Sequence, residues 1–220
     1  MGREYPCLFY YKRTKIMISK EAFKDLNVNS IKGGDPKDYI TMMSHALRLG
    51  ALYKAKFFMW LENNNYELIA QDEETLEHFI KEALNVHKKA YDEDNDSDIY
   101  FADNIFYEVL KETGKFSEAD CVSLSLVLLA FISFKTDLIS NEEYLEIRDL
   151  LVPYKVMISQ CKCKAKDLFE IYKKTIADSK QNTKLLCKLG KGIETSLPSD
   201  DIILSAFEEI TYDEKSWEKE

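Results

Sequence analysis

Between residues 36 and 61, apolar side chains return at Tyr39, Met42, Met43, Ala46, Leu49, Tyr53, Phe57, Trp60 and Leu61. This is the spacing of one helix face, and it predicts a single long helix. Gly33-Gly34-Asp35-Pro36 marks its start, because Asp35 can cap and proline suits the first helical position. Asn63-Asn64-Asn65 ends it. A second stripe of Leu76, Phe79, Ile80, Ala83, Leu84 and Val86 predicts a helix capped by Asp72 and ending near Tyr91. A shorter helix is expected from about Asp103 to Glu112, stopped by Gly114.

From Cys121 to Phe134 the chain carries no charge. A helix apolar all round belongs at the centre of a fold. Ser117 caps it, and Asp120 three residues on gives a capping-box-like start with Asp in place of the usual Glu. Helices are also expected over Asn141–Leu151, Ala165–Ala177 and Ser199–Glu209. Short strands are expected at Lys15–Ser19, leading into a helix through Leu26, and at Lys184–Leu189. The pattern predicts an all-α protein, with residues 1–220 forming one mostly helical domain and one or two short peripheral strands.

Composition narrows the function. A chain of 220 residues with 45% hydrophobic content can bury roughly 70% of its unfolded surface. Its net charge of −9 argues against nucleic acid or an anionic membrane as partner, since both need a clustered basic face. The uncharged run is short of the ~20 residues that span a bilayer, and MGREYPCLFYYKR holds no signal-peptide core. A soluble, cytoplasmic protein is expected. Five cysteines suit a reducing compartment, and Cys161 with Cys163 form a C-x-C that lacks the second ligand pair of a zinc site.

Several blocks, in order, resemble the 3-dehydroquinate synthase family. Phe57-Phe58-Met59-Trp60-Leu61-Glu62-Asn63-Asn64 is similar to its Phe-x-Trp-Leu-Glu-x-Asn segment. Glu118-Ala119-Asp120-Cys121-Val122, followed by Leu138-Ile139-Ser140, resembles its His-Gly-Glu-Ala-Val helix and Gly-Leu-Ile-Ser exit. Asp178-Ser179-Lys180 resembles Asp-Lys-Lys, and Leu189-Gly190-Lys191-Gly192-Ile193 resembles the closing Gly-Ile-Gly segment. Tyr10 to Leu26 looks like the strand and helix that open the family's C-terminal half. The match covers about residues 9–210 and implies the helical, metal-binding C-terminal domain, linked to shikimate-pathway chemistry.

That resemblance also implies what is altered. The family holds NAD on an N-terminal domain with a Gly-rich turn, and nothing here is similar to it, so NAD is not expected on this chain alone. Family zinc is held by a Glu of Ala-Glu-x-x-Lys, a His of Asn-x-Gly-His and the His of His-Gly-Glu-Ala. Those positions fall on His45, Asp103 and Glu118, with Arg48 at the lysine and Tyr107 at a neighbouring His. No ligand type is kept in place, yet one imidazole and two carboxylates are competent donors for a divalent metal. Arg48, Lys89 and Lys180 match cations of the substrate site and are the candidates for holding an anion.

A separate pattern points to calcium. Asp92, Asp94 and Asp96 with Asp103 occupy loop positions one, three, five and twelve of an EF-hand-like segment. Ser97 stands where that loop needs glycine. The favoured expectation is a non-catalytic relative of the synthase's helical domain, acting through a protein partner or as a homo-oligomer. The alternative is one half of a split metal-dependent cyclase or lyase, with NAD on a separate nucleotide-binding subunit.

Overall fold

The computed structural model describes residues 27–94, 105–177 and 182–211. The helices are α1 (Val28–Lys32), α2 (Pro36–Tyr53), α3 (Ala55–Asn63), α4 (Asn65–Ile69), α5 (Glu73–Asp94), α6 (Ile105–Glu112), α7 (Glu118–Lys135), α8 (Asn141–Asp149), α9 (Ala165–Ala177) and α10 (Asp200–Ile210). Among the described residues one hairpin, β1 (Asn182–Lys188) and β2 (Lys191–Ser196), stands between α9 and α10. The protein is mostly helical, as the periodicity predicts. The strand and helix expected between Lys15 and Leu26 lie outside the described residues.

The uncharged helix is the axis of the fold. Leu124, Leu126, Val127, Leu128, Ala130 and Ile132 of α7 are all buried, and α2, α6, α8, α10 and β1 pack around it. Burying each leucine, valine or isoleucine of this set stabilises by about 1.5–3 kcal/mol relative to exposure. Among the described residues no helix is long and apolar enough to cross a membrane.

The head of α7 is tied down more firmly than a capping box would do. Ser117 Oγ accepts from the Asp120 N–H at 3.1 Å. The Asp120 carboxylate does not return to the cap backbone: it accepts from Ser117 Oγ at 2.6 Å and from the Met157 N–H at 2.9 Å. Ser123 Oγ also donates to the Met157 carbonyl at 2.7 Å. The reciprocal box expected from sequence is thus replaced by a clamp on the 156–158 segment. Asp is too short to reach back as Glu does, and a tertiary donor takes its carboxylate instead.

The predicted long helix is two. Lys54 is extended, with φ −154° and ψ 90°, and separates α2 from α3. A Cβ on Gly50 would lie 3.1 Å from the Phe58 backbone, so the two helices meet too closely for a side chain there unless they shift by a few tenths of an ångström. The hairpin turn closes the corner: the Gly190 N–H donates to the Ala51 carbonyl at 2.7 Å. In the hairpin, Leu185 pairs with Ile193 and Leu186 with Gly192, and the register shifts at Cys187. The second strand was hidden in sequence by Gly192 and by its lack of a buried face.

Candidate functional site

Positions 45 and 118, far apart in sequence, meet. α2 carries His45 and, three residues on, Arg48, both only 4% exposed; residues so spaced share a helix face. α7 brings Glu118 in its first turn, and α6 brings Tyr107, which is buried beside them. His45 Nε2 lies 3.7 Å from Glu118 Oε1. The contact is long for a hydrogen bond and well within electrostatic reach. His45, as partner and as charge, holds the Glu118 carboxyl below the usual carboxylate range; Lys111 adds to this and partial burial opposes it. Burial foremost, with the Glu118 charge next, pushes the Tyr107 hydroxyl well up, while Arg48 pulls the other way. Tyr107 therefore stays a neutral donor beside an anionic carboxylate.

Does this set fit zinc? Two donors on one tetrahedral zinc at ~2.1 Å lie ~3.4 Å apart, so His45 and Glu118 could share an ion after a small adjustment. Among the described residues, however, no three His, Cys, Asp or Glu side chains are grouped to hold a metal. Asp103, the third position implied by the resemblance, lies outside the described residues. The pair fits a mutual acid and base contact fully and a metal site in part.

Of the anion candidates, Arg48 and Lys89 lie among the described residues. Arg48 is buried near Tyr107, whereas Lys89 is on the exposed side of α5 and donates to the Tyr53 carbonyl at 2.5 Å. Tyr53 ends α2, about 7.5 Å further along the helix than Arg48. Lys180 lies outside the described residues. Close to it in sequence, Lys184 of β1 donates to the Tyr53 hydroxyl at 3.0 Å and stands 4.5 Å over the ring. Sequence reasoning missed Lys184, since a lysine on a short strand reads as ordinary surface, and it assigned Tyr107 no role. Nothing in either residue's spacing signals the placement.

For calcium, α5 runs past Tyr91 and includes Asp92 and Asp94. Positions one and three of the expected loop are therefore on helical backbone. Asp96 and Asp103 lie outside the described residues.

No protein-family profile matches the chain. The 3-dehydroquinate synthase of Idiomarina loihiensis is 22% identical over 135 residues, which are 58% of this chain and 38% of that protein. ValA, a 2-epi-5-epi-valiolone synthase from Streptomyces hygroscopicus solved with NAD+ and Zn2+ bound, superposes with a TM-score of 0.67 at 12% identity. The match covers 81% of this chain and 52% of that one. 2-Deoxy-scyllo-inosose synthase, complexed with carbaglucose-6-phosphate, NAD+ and Co2+, gives a TM-score of 0.60 at 14% identity, covering 78% and 51%.

The class is thus set by the fold: a mostly helical domain of the kind found in dehydroquinate synthase-like enzymes. More particularly, the chain is weakly homologous to 3-dehydroquinate synthase itself and spans about four-tenths of that relative's length and about half of the structural neighbours.

Proposed function

We propose that this chain is a non-catalytic, dehydroquinate synthase-like helical module that works by binding another protein, either a second copy of itself or a separate chain. The observation that carries the reading is the His45 contact with Glu118 at 3.7 Å. At positions that the resemblance gives to metal ligands, imidazole and carboxylate answer each other's charge. The test is elemental analysis of the purified protein after dialysis, with NAD titration by calorimetry. The reading expects zinc far below one equivalent and no heat from NAD. One equivalent of zinc that disappears in His45→Ala overturns it.

A second reading has the same contact behind it. A histidine and a carboxylate converge in exchanged order, so the chain could be the metal-holding half of a split cyclase or lyase, with NAD on a separate nucleotide-binding subunit. In that case His45 and Glu118 would supply two zinc donors, Tyr107 a neutral hydroxyl, and Arg48 the nearest buried cation. Zinc uptake that is lost in both His45→Ala and Glu118→Ala, with the fold retained by circular dichroism, would favour this reading over the first.

A further inference from the structure

Outside the site already described, the Cys161-Lys162-Cys163 turn holds two cysteines, one buried and one partly exposed, on one tight turn of backbone. The Cys163 N–H donates to the Cys161 carbonyl at 2.8 Å, a hydrogen bond across two residues of the γ-turn kind. This folds the two backbones toward each other, as a disulfide needs, since its Cα atoms sit about 4.4–6.8 Å apart. Cys161 is anchored: it is fully buried, and its N–H donates to the Ile210 carbonyl at 2.9 Å, where it bridges to Thr211 at the end of α10. Cys163 is partly exposed and lies just before Lys164, whose carbonyl accepts the first N–H groups of α9. Exposed Lys162 and Lys164 flank it.

We propose that Cys161 and Cys163 form an oxidisable dithiol, in which the exposed Cys163 reacts with a hydroperoxide and the buried Cys161 resolves it as a disulfide. The Cys163 thiolate attacks the terminal oxygen, the O–O bond breaks, and the alkoxide or hydroxide leaves and takes up a proton. The sulfenic acid so formed is attacked by Cys161; the S–O bond breaks and water leaves. Each thiol gives up one hydrogen, and the two electrons go to the peroxide oxygens. Burial first, then the adjacent Cys163, pushes the Cys161 thiol up to about 11. Cys161 therefore makes a poor first nucleophile, and the order follows. The bridge would lock the entry to α9 onto the exit of α10.

The test uses the full chain, treated with hydrogen peroxide, blocked with a maleimide under denaturing conditions and mapped by mass spectrometry. The fragment holding residues 161 and 163 should be two hydrogens lighter, unlabelled, and restored by dithiothreitol. In Cys161→Ser, Cys163 should stop at a dimedone-trappable sulfenic acid; in Cys163→Ser, Cys161 should remain a thiol at the same dose. A wild-type fragment that carries maleimide on both sulfurs overturns the proposal. So does pairing of either with Cys7, Cys121 or Cys187, or equal reactivity of Cys161 in Cys163→Ser. The wild-type mass alone decides if a serine variant fails to fold.

Discussion

Ser133 Oγ accepts the Leu186 N–H at 2.9 Å and donates to the Leu129 carbonyl at 2.7 Å. This buried hydroxyl connects the apolar axis of the fold to the hairpin. Ser133→Ala keeps the volume nearly unchanged and leaves the Leu186 N–H without its acceptor, which costs about 1–3 kcal/mol. Urea denaturation measures the loss, and faster hydrogen exchange at the Leu186 amide shows that it arises in the hairpin. Unchanged exchange there would mean that the hairpin is held by other contacts.

Gly190 and Gly114 both have positive φ, at +78° and +64°, but they differ in what surrounds them. A Cβ at 190 would lie 2.1 Å from the Ala55 backbone nitrogen, whereas at 114 it would meet nothing within 4 Å. Gly114→Ala is expected to cost about 1 kcal/mol, from backbone conformation alone. Gly190→Ala also has to push the hairpin away from the corner between α2 and α3, adding about 1–3 kcal/mol or more. Thermal unfolding of the two variants side by side separates the contributions.

Acid should destabilise the protein in two windows. His87 is half-buried and burial lowers its proton affinity, so the unfolded chain takes up a proton that the folded one refuses as pH falls below about 6.5. Stability drops there until the folded imidazole titrates. Glu118 is held below its ordinary value, so its contribution is present above about 4.3 and is lost as pH falls through the lowered folded value. His87→Gln should flatten the upper window and Glu118→Gln the lower one, read from denaturation midpoints across pH. An unchanged lower window in Glu118→Gln would show that the His45 contact adds nothing to folding.

Asp120 holds the Ser117 hydroxyl at 2.6 Å and the Met157 N–H at 2.9 Å. Asp120→Ala should cost about 1–3 kcal/mol, mostly because a backbone N–H loses its acceptor. Ser117→Ala removes a cap and should cost about 1 kcal/mol. Because the two side chains bond each other, the double variant should lose less than the sum, and a double-mutant cycle measures the difference.

How far could the sequence be read alone? Local signals held wherever the cause was local. Asp35 and Pro36 open α2, Asp72 accepts from the Thr75 N–H beside α5, and Ala165–Ala177 is a helix with the expected bounds. The break at Lys54 was invisible, because the apolar stripe crosses it unbroken and its companions, Gly50 against Phe58 and Gly190 against Ala55, are set by tertiary approach. The meeting of His45 with Glu118 was legible only through the family resemblance, since no spacing links α2 to α7. Tyr107 was legible in the same way, while Lys184 gave no warning at all, because a strand lysine acquires meaning from what packs beside it.

The all-round burial of α7 has a consequence for the birth of the protein. When this segment leaves the ribosome, α10, one of the helices that will cover it, has yet to be made. Until then the nascent chain presents a greasy rod with no polar side to turn outward, the kind of surface on which aggregation begins and chaperones act. A ribosome stalled before residue 200 should thus hold a species far stickier than the finished fold.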